Sequence, residues 1–306
     1  MRLTVGVCTH NPHEEPFARA LESISSQVQR DPDAEFLVVD NNSTPPLEAR
    51  TYLKRFPITL LHESTPGLTA AREAIISHAT GEVIVFVDDD NVLHDDYLQL
   101  VRDAFMSDSN LGLLGGAVVP EYEVTPPPWM TGLEDSLAIR PYPPDLRVRV
   151  TTLGWSEHFP IGAGMSVRRS LAEAYVADCA ATTRIQGRRG SALSSGEDLD
   201  LGLFVLSQGR ALAVDGRLRL THIIGARRIQ SDYLQSLATA NMRSSWELER
   251  KWAPRLGRRV FPMFGIPLPV LVARIVVLTA LSPVSPRYRV RRRVYGALLR
   301  AKFGRL

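Results

Sequence analysis

The first 120 residues alternate short apolar runs with amphipathic segments, and this alternation constrains the fold more than any other feature. Strand-like runs rich in Val, Ile, Leu and Phe lie at Leu3–Cys8, Glu35–Val39, Ile58–Leu61, Glu82–Val87 and Leu111–Val119. Helical patterns separate them at Glu14–Gln29, Leu47–Phe56, Gly67–Ala79 and Asp95–Met106. Strands that alternate with helices of this length are joined by right-handed crossovers. The pattern therefore predicts an α/β fold with a doubly wound, mostly parallel sheet covered on both faces.

Beyond residue 120 the pattern changes. A proline-rich, irregular stretch begins at Pro126, and a helix is expected to begin near Glu197. Two strand-like runs flank Asp215-Gly216, and a long helix spans about Ser231 to Lys251, where Pro254 is expected to end it. We therefore divide the chain after residue 120 and again after residue 252, which leaves residues 253–306 as a separate segment.

Polar residues follow each of the first four strands. These clusters are Thr9-His10-Asn11, Asp40-Asn41-Asn42-Ser43, Glu63-Ser64 and Asp88-Asp89-Asp90-Asn91. Ligands of open parallel sheets bind outside the carboxyl ends of the strands, where all four clusters are expected to lie. Polar turns and helix caps explain any single cluster, but they account poorly for three consecutive aspartates directly after an apolar strand.

The three aspartates predict a divalent cation. Asp88 and Asp90 face one side of an extended segment, while Asp89 faces the other. Hard ions such as Mg²⁺ and Mn²⁺ bind one or two carboxylates together with substrate phosphates, so a phosphate-bearing ligand is expected as well. The alternative is that one or two of these aspartates only cap the helix that begins near Asp95.

Other common phosphate-binding motifs are absent. The sequence contains no GxxxxGK[ST] loop, and the turn after the first strand is Thr9-His10-Asn11-Pro12 rather than GxGxxG. A P-loop ATPase and a nicotinamide enzyme are therefore not supported. Gly162-Ala163-Gly164 indicates either a close approach of the backbone to a ligand or a tight turn.

A second acidic pair, Glu197-Asp198, follows Ser194-Ser195-Gly196 and precedes the helical run Leu199–Leu206. In the first turn of a helix the dipole favours ionised carboxylates. The pair is either the source of a catalytic base or part of an N-terminal cap formed by Ser194 or Ser195.

Charge is distributed unevenly along the chain, whose formal net charge is +3. All 33 acidic residues lie at or before Glu249, whereas 12 of the 36 Lys and Arg residues lie beyond Trp252. Residues 1–252 therefore carry −9 and residues 253–306 carry +12. The basic residues adjoin an apolar run whose usable helix, about Val270–Leu281, is too short for a clean membrane span. This combination favours an anionic membrane surface over nucleic acid as the partner, and the alternative is that the segment packs on the core or forms a dimer.

The amino terminus and the cysteines indicate the compartment. The strand-like Leu3–Cys8 follows Arg2 at once, so we expect no signal peptide. Cys8 and Cys179 fit no metal or redox spacing and are too few for a disulfide scaffold. These features predict a cytoplasmic protein.

Taken in order, the motifs resemble the family 2 glycosyltransferases of the GT-A fold. The similarity covers about Leu3 to Ile224 and rests on Thr9-x-Asn11, Asp40-Asn41-Asn42-Ser43, Glu63…Gly67…Ala71-Arg72…Gly81, Asp88-Asp89-Asp90, Gly162-Ala163-Gly164-Met165 and Gly196-Glu197-Asp198. The resemblance implies an inverting, metal-dependent hexosyltransferase that uses a nucleotide-diphosphate sugar, with UDP as the expected nucleotide. It assigns residues 1–252 to the transferase domain, with a nucleotide-binding half at 1–120 and an acceptor half at 121–252.

The resemblance also implies roles for individual residues. The nucleotide-sugar site is expected to include Thr9, Asn11, Asp40, Asn42, Gly67, Arg72, Asp88, Asp89, Gly162, Ala163 and Gly164. Asp90 is the expected metal ligand, with Asp88 as the other member of the DxD-type pair, and His222 either completes the metal site or is a buried structural histidine. Asp198 is the expected general base, with Glu197 beside it. His10 stands where several members have an aromatic residue, and Trp155 either lines the acceptor site or packs.

The implied chemistry agrees with these residue types. A carboxylate deprotonates the acceptor hydroxyl, and a divalent metal stabilises the departing diphosphate. The expected partners are the nucleotide-sugar donor, a saccharide or lipid-linked acceptor of cell-surface polysaccharide or glycolipid synthesis, and the inner face of the cell membrane, but no nucleic acid. A nucleotidyltransferase and a non-catalytic nucleotide-sugar-binding subunit are the alternatives.

Overall fold

The computed structural model describes residues 1–190 and 192–304. Its strands form one sheet and are β1 (Leu3–Thr9), β2 (Glu35–Asp40), β3 (Thr59–His62), β4 (Val83–Asp88), β5 (Asn91–Leu93), β6 (Leu111–Tyr122), β7 (Arg147–Val150), β8 (Ser166–Arg168) and β9 (Ala211–Ile224). Its α-helices are α1 (Glu14–Val28), α2 (Leu68–His78), α3 (Tyr97–Ser107), α4 (Arg169–Ala181), α5 (Glu197–Ser207), α6 (Ser231–Leu256), α7 (Leu268–Leu281) and α8 (Pro286–Lys302).

The sheet is mostly parallel, which confirms the predicted fold class. The strand order is β3-β2-β1-β4-β8-β6-β9-β5, and β7 pairs with β9. Strands β3, β2, β1 and β4 are mutually parallel, as are β6 and β9. Strand β8 is antiparallel to both β4 and β6 and joins the two halves of the sheet.

Alternating side chains of the central strands enter two different cores. In β4, Val83 and Val85 pack on one face with Phe17 of α1, whereas Ile84 packs on the other face with Ile75 of α2. Gly6 of β1 lies under α2, and a Cβ atom there would be 2.6 Å from the Ile75 side chain. The glycine therefore lets α2 lie close to the sheet, just before the strand ends at the predicted ligand edge.

Three local predictions were wrong. The segment Leu47–Phe56 forms two short 3-10 helices rather than one α-helix, because extended Arg50 separates Leu47–Ala49 from Thr51–Arg55. Residues around Asp215-Gly216 do not divide two strands, since β9 runs through them with a shift of register against β6. Helix α6 includes Pro254 in its last turn and ends only at Gly257, whose φ of 63° is left-handed.

A buried polar cluster connects α5 to α6. Asp200 of α5 is fully buried and accepts hydrogen bonds from Lys251 Nζ at 2.7 Å, Trp252 Nε1 at 2.6 Å and Tyr175 Oη at 2.8 Å. Burial and the nearby Asp200 carboxylate raise the pKa of Tyr175 far above its usual range, so the phenol stays a donor. The cluster fixes the first turn of α5, which begins with Glu197-Asp198.

The C-terminal helices pack on the rest of the protein through one side only. Helix α8 contacts both α6 and α7, and Leu271, Ala297 and Leu298 are buried in the larger core. The outer side of α7 exposes the apolar residues Leu268, Val270, Val272, Val276 and Val277. Within residues 1–190 and 192–304, no helix combines the length and apolar character needed to span a bilayer.

The Asp200 cluster yields a stability prediction. Lys251→Met leaves a buried carboxylate without its cation, and breaking a buried pair in this way costs about 3–5 kcal/mol of the free energy of unfolding. Urea unfolding followed by circular dichroism measures the loss. The control is Glu247→Ala, which breaks the exposed Arg243–Glu247 pair on the same helix and should cost less than about 1 kcal/mol. Equal small losses in both variants would show that the cluster does not stabilise α5.

Candidate active site

A cavity of about 570 Å³ opens where the carboxyl ends of β1 and β4 meet the first turns of α2 and α5. Its volume is typical of a pocket that holds a small-molecule ligand. The predicted site residues that line it are Thr9, Gly67, Arg72, Asp88, Asp89, Asp90, Gly162, Ala163, Glu197, Asp198 and His222. Residues from distant parts of the sequence therefore line one cavity, as the topology requires.

Four predicted nucleotide-sugar residues do not line the cavity. Both Asp40 oxygens are buried and accept from the backbone amides of Ser43 and Leu47 at 2.9 Å. Asn11 Oδ1 accepts from the amide of Thr44, and Asn42 Nδ2 donates to the carbonyl of Ser64. The fourth is Gly164. The side chains of Asp40, Asn11 and Asn42 hold the loops behind the cavity through these hydrogen bonds. A direct contact between any of the three and a nucleotide stays a prediction.

Gly164 shows a packing constraint that its motif did not reveal. Its φ is +72°, and its carbonyl accepts from Tyr97 Oη at 2.7 Å. A Cβ atom at this position would be 2.3 Å from the same phenol oxygen. The tight-turn interpretation therefore fits Gly164, whereas Gly162 and Ala163 lie at the cavity surface.

Asn41 lines the cavity, although sequence reasoning assigned it no role. Its Oδ1 accepts from the amide of Gly67 at 2.6 Å, and its Nδ2 donates to the carbonyls of Glu63 and Thr65. Its own carbonyl contacts His10 Nδ1 at 2.7 Å. Asn41 thereby fixes the start of α2 against the end of β2, and its place after a buried strand was the available signal.

Each of the three consecutive aspartates contacts different partners. Asp88 Oδ1 lies 3.7 Å from Arg72 Nη2, Asp89 Oδ2 accepts from Thr9 Oγ1 at 2.5 Å, and Asp90 contacts His222 and Arg228. The alternative that they cap a helix is wrong, since β5 follows them and α3 begins only at Tyr97.

The pKa values of Asp89 and Asp90 shift in opposite directions because the partners of the two carboxylates differ. Burial and the neighbouring Asp90 raise the pKa of Asp89 to about 7, against the hydrogen bond from Thr9. Burial also acts to raise the pKa of Asp90, but the basic groups around it, Arg228 and Arg188 among them, outweigh it and hold that pKa at about 2. Asp90 is therefore the carboxylate most firmly kept as an anion, which is the form that a metal ion requires.

Asp90 and His222 form the best candidate pair of metal ligands. Strand β5 pairs with β9 so that Asn91 lies opposite His222, and the Ile223 amide donates to the Asp90 carbonyl at 2.9 Å. Asp90 Oδ2 and His222 Nε2 are consequently 3.3 Å apart, which suits one ion held at about 2.1 Å from each. The described residues contain no group of three or more potential metal ligands, and a share of Asp88 in the metal site stays a prediction. Two protein ligands fit a site that phosphate oxygens and water complete.

The start of α5 is not capped by a serine, so that alternative is wrong. The N-cap residue is Gly196 with φ +108°, while Ser194 Oγ donates to the Gly187 carbonyl and Ser195 Oγ donates to Asn241. Gly196 is a position where a left-handed backbone requires glycine. The Ser/Gly segment therefore shapes the entry to α5 rather than satisfying its first amides.

Glu197 and Asp198 have different surroundings. Glu197 Oε1 accepts from Arg72 Nη1 at 3.0 Å, and its buried Oε2 has no hydrogen-bond partner among the described residues. Burial raises the pKa of Glu197 although Arg72 opposes this. Asp198 instead accepts from the amides of Gly162 at 3.0 Å and Leu199 at 2.8 Å. Backbone donors thus hold Asp198 as an oriented carboxylate at the cavity surface, which is the arrangement that a general base needs.

Two arginines of the cavity that act on Asp90, Arg188 and Arg228, were missed. Arg188 lies in a loop, and its own carbonyl accepts from the amide of Leu68. Arg228 lies on a short 3-10 helix, Ala226–Ile229, after β9. Both side chains act to lower the pKa of Asp90. Neither belongs to a motif, so only the clustering of arginines in their segments could have indicated them.

The far wall of the cavity includes Trp155, which is 47% exposed.

A family model described as glycosyl transferase family 2 matches residues 4–176, more than half of the 306 residues. The chain belongs to this family. Its membership confirms the resemblance on which the site was predicted.

Two relatives and one solved structure extend the comparison. The chain is 24% identical over 145 residues to a glucosyl-dolichyl phosphate glucuronosyltransferase of Haloferax volcanii, and the match covers 44% of the chain and 46% of the relative. It is 27% identical over 135 residues to the succinoglycan biosynthesis protein ExoM of Rhizobium meliloti, covering 42% and 43%. The matched regions thus span less than half of either relative. The mannosyltransferase PcManGT from Pyrobaculum calidifontis, solved with GDP-Man and Mn²⁺, shares the fold with a TM-score of 0.62, 17% identity and coverage of 99% and 86%.

Gly162 provides a test of the cavity wall. A Cβ atom in Gly162→Ala would be 2.6 Å from Arg72 Nη2, so the guanidinium must move away from Glu197 and Asp88. We expect nucleoside diphosphate binding, measured by calorimetry with UDP and GDP, to weaken about tenfold while the fold survives. The control is Gly265→Ala, whose Cβ meets nothing closer than 3.8 Å. Equal affinities for the two variants would exclude Arg72 from the nucleotide site.

Proposed function

We propose that this glycosyltransferase transfers a sugar, with inversion, from a nucleoside-diphosphate sugar to an acceptor hydroxyl. The observation that carries the proposal is the cavity that holds both the Asp90–His222 pair and the oriented carboxylate of Asp198. Residues 1–120 supply most of the proposed nucleotide side and residues 121–252 supply the acceptor side, including Trp155. The proposed catalytic domain is residues 1–252.

The donor diphosphate fits the basic part of the cavity. Arg72, Arg188 and Arg228 all line it, and guanidinium groups bind phosphate through paired hydrogen bonds. Thr9, His10 and Asn41 line the part formed by β1 and β2, where we place the nucleoside. UDP is the first candidate nucleotide, and GDP is the second because PcManGT was solved with GDP-Man.

A divalent ion at Asp90 and His222 would act as a Lewis acid on the departing diphosphate. The carboxylate and imidazole together favour Mn²⁺, which binds nitrogen more readily than Mg²⁺ does. Asp90 would hold the ion as an anion, and His222 would direct its Nε2 lone pair toward it.

Asp198 would take the proton of the acceptor hydroxyl while that oxygen attacks the anomeric carbon. A new C–O bond forms as the bond to the diphosphate oxygen breaks, and the diphosphate leaves with the electron pair. A single displacement of this kind inverts the anomeric configuration, through a transition state with oxocarbenium character. Arg72 holds Glu197 beside the base and neutralises part of the charge of the site.

We place the protein peripherally on the inner face of the cell membrane, with a lipid-linked saccharide as the acceptor. Exposed valines of α7 lie beside α8, which carries Arg287, Arg289, Arg291, Arg292 and Arg293. Proteins bind anionic lipid when apolar side chains insert partly into the membrane and nearby basic residues are attracted to its negative surface. The acceptor class is supported by the two relatives, which are named for a dolichyl phosphate substrate and for succinoglycan synthesis.

The assignment of the base is tested by two carboxamide variants. Asp198→Asn keeps the size of the side chain and should lower turnover about 10²–10⁴-fold while donor binding persists. Steady-state release of nucleoside diphosphate with acceptor measures this. Glu197→Gln removes the partner of Arg72 and should instead weaken donor binding. If Glu197→Gln loses turnover and Asp198→Asn does not, Glu197 is the base. A protein that hydrolyses or transfers no tested donor would support the non-catalytic alternative.

The membrane proposal is tested on the full chain by vesicle flotation. Wild-type protein should float with vesicles that contain phosphatidylglycerol at low salt and should be released as the salt concentration rises. Val276→Asp/Val277→Asp changes side chains that are 62% and 56% exposed, so the fold should survive while flotation falls about tenfold. The control is Met106→Asp on α3, where the side chain is 64% exposed. Equal flotation of the variant and its control would show that α7 does not contact the membrane.

A further inference from the structure

The Arg228 side chain contacts both candidate metal ligands. Its Nη1 is 2.8 Å from Asp90 Oδ2 and 2.9 Å from His222 Nε2, the two atoms of the candidate metal site. The side chain is mostly buried, with 19% of its area exposed. A single nitrogen of one guanidinium therefore contacts both potential ligands at hydrogen-bonding distance.

The contact with His222 uses the single electron pair of Nε2 that a metal would use. An arginine has only donors, so Arg228 can hydrogen-bond His222 Nε2 only when that nitrogen carries a lone pair. The two hydrogens of Nη1 suffice for Asp90 and His222 together. A divalent ion bound to the same oxygen and nitrogen would also meet the positive guanidinium at close range. Metal and guanidinium thus exclude each other sterically, electrostatically and through their shared ligands.

We propose that Arg228 is a built-in competitor of the divalent metal, which must leave Asp90 and His222 before the ion can bind both. The proposal rests on the proposed metal-dependent function. Arg228 lines the cavity, so a displaced guanidinium has the donor diphosphate as its next anionic partner. Binding of the diphosphate and binding of the metal therefore favour each other, and metal alone binds weakly.

The short 3-10 helix suits such a movement. Gly225 precedes it, and on its other side extended Gln230 separates it from α6. The amide of Ala226 donates to Glu123 Oε2 at 2.7 Å, which fixes the start of the segment while the Arg228 side chain stays at the cavity. Arg228 Nε is buried and has no hydrogen-bond partner among the described residues, so the guanidinium is held mainly by the two contacts of Nη1.

The test measures binding of Mn²⁺ alone to the full chain, by electron paramagnetic resonance of the free ion. Arg228→Met keeps the apolar stem and removes the competitor, so Mn²⁺ affinity without nucleotide should rise about tenfold or more. The matched control is Arg227→Met, one residue away on the same segment, where the side chain is exposed and affinity should not change. Arg228→Gln provides a second neutral variant if the methionine protein does not fold.

Two further measurements separate this proposal from the proposed function. Adding UDP or GDP should raise Mn²⁺ affinity more in the wild type than in Arg228→Met, because only the wild type has a guanidinium to displace. Asp90→Asn in the Arg228→Met background should abolish the gain. Equal Mn²⁺ affinity of wild type and Arg228→Met, lost on Asp90→Asn, would overturn the competitor and leave the metal site standing. Mn²⁺ binding that ignores Asp90→Asn would overturn both.

Discussion

The parallel pairing of β1 with β4 determines where the acidic residues of this family 2 member lie. Cys8 is opposite Asp88 in that ladder, and Thr9 is opposite Asp40 in the ladder to β2, so three strands end at one level. The antiparallel pair β5–β9 then places His222 beside the turn that holds Asp90. Every proposed step depends on this register, because a shift of one residue would reverse which side chains face the cavity.

Charge compensation explains how the cavity tolerates five of its carboxylates, Asp88, Asp89, Asp90, Glu197 and Asp198. Arg72 contacts Asp88 and Glu197, and Arg228 contacts Asp90, while Asp198 is satisfied by amides and Asp89 by Thr9. Burying a charge without a partner is costly, so these pairings are a condition for the fold as well as for binding. The same arginines would bind the phosphates of the donor. The groups that stabilise the site without ligand are therefore also the groups that would recognise the ligand.

The fold and most of the cavity were predictable, because both depend on local patterns. Val83–Val87 alternates between two cores and then delivers three aspartates, and this period appears in the sequence. The missed features depend on tertiary contacts. Asp40 looked like a ligand residue, but the fold directs both oxygens at backbone amides, and Arg228 has no motif although it contacts Asp90 across 138 positions of sequence. The pattern of Leu47–Phe56 predicts a helix, but it does not reveal that Arg50 is extended and divides the segment.

The central claim is that one cavity joins the nucleoside diphosphate, the metal and the base. Diffraction at the manganese edge, from crystals grown with Mn²⁺ and UDP or GDP, tests it most directly. The account predicts one ion about 2.1 Å from an Asp90 oxygen and from His222 Nε2, with diphosphate oxygens as further ligands and the Asp198 carboxylate facing the open part of the same cavity. A nucleotide bound outside this cavity, or an ion ligated without Asp90, would contradict it.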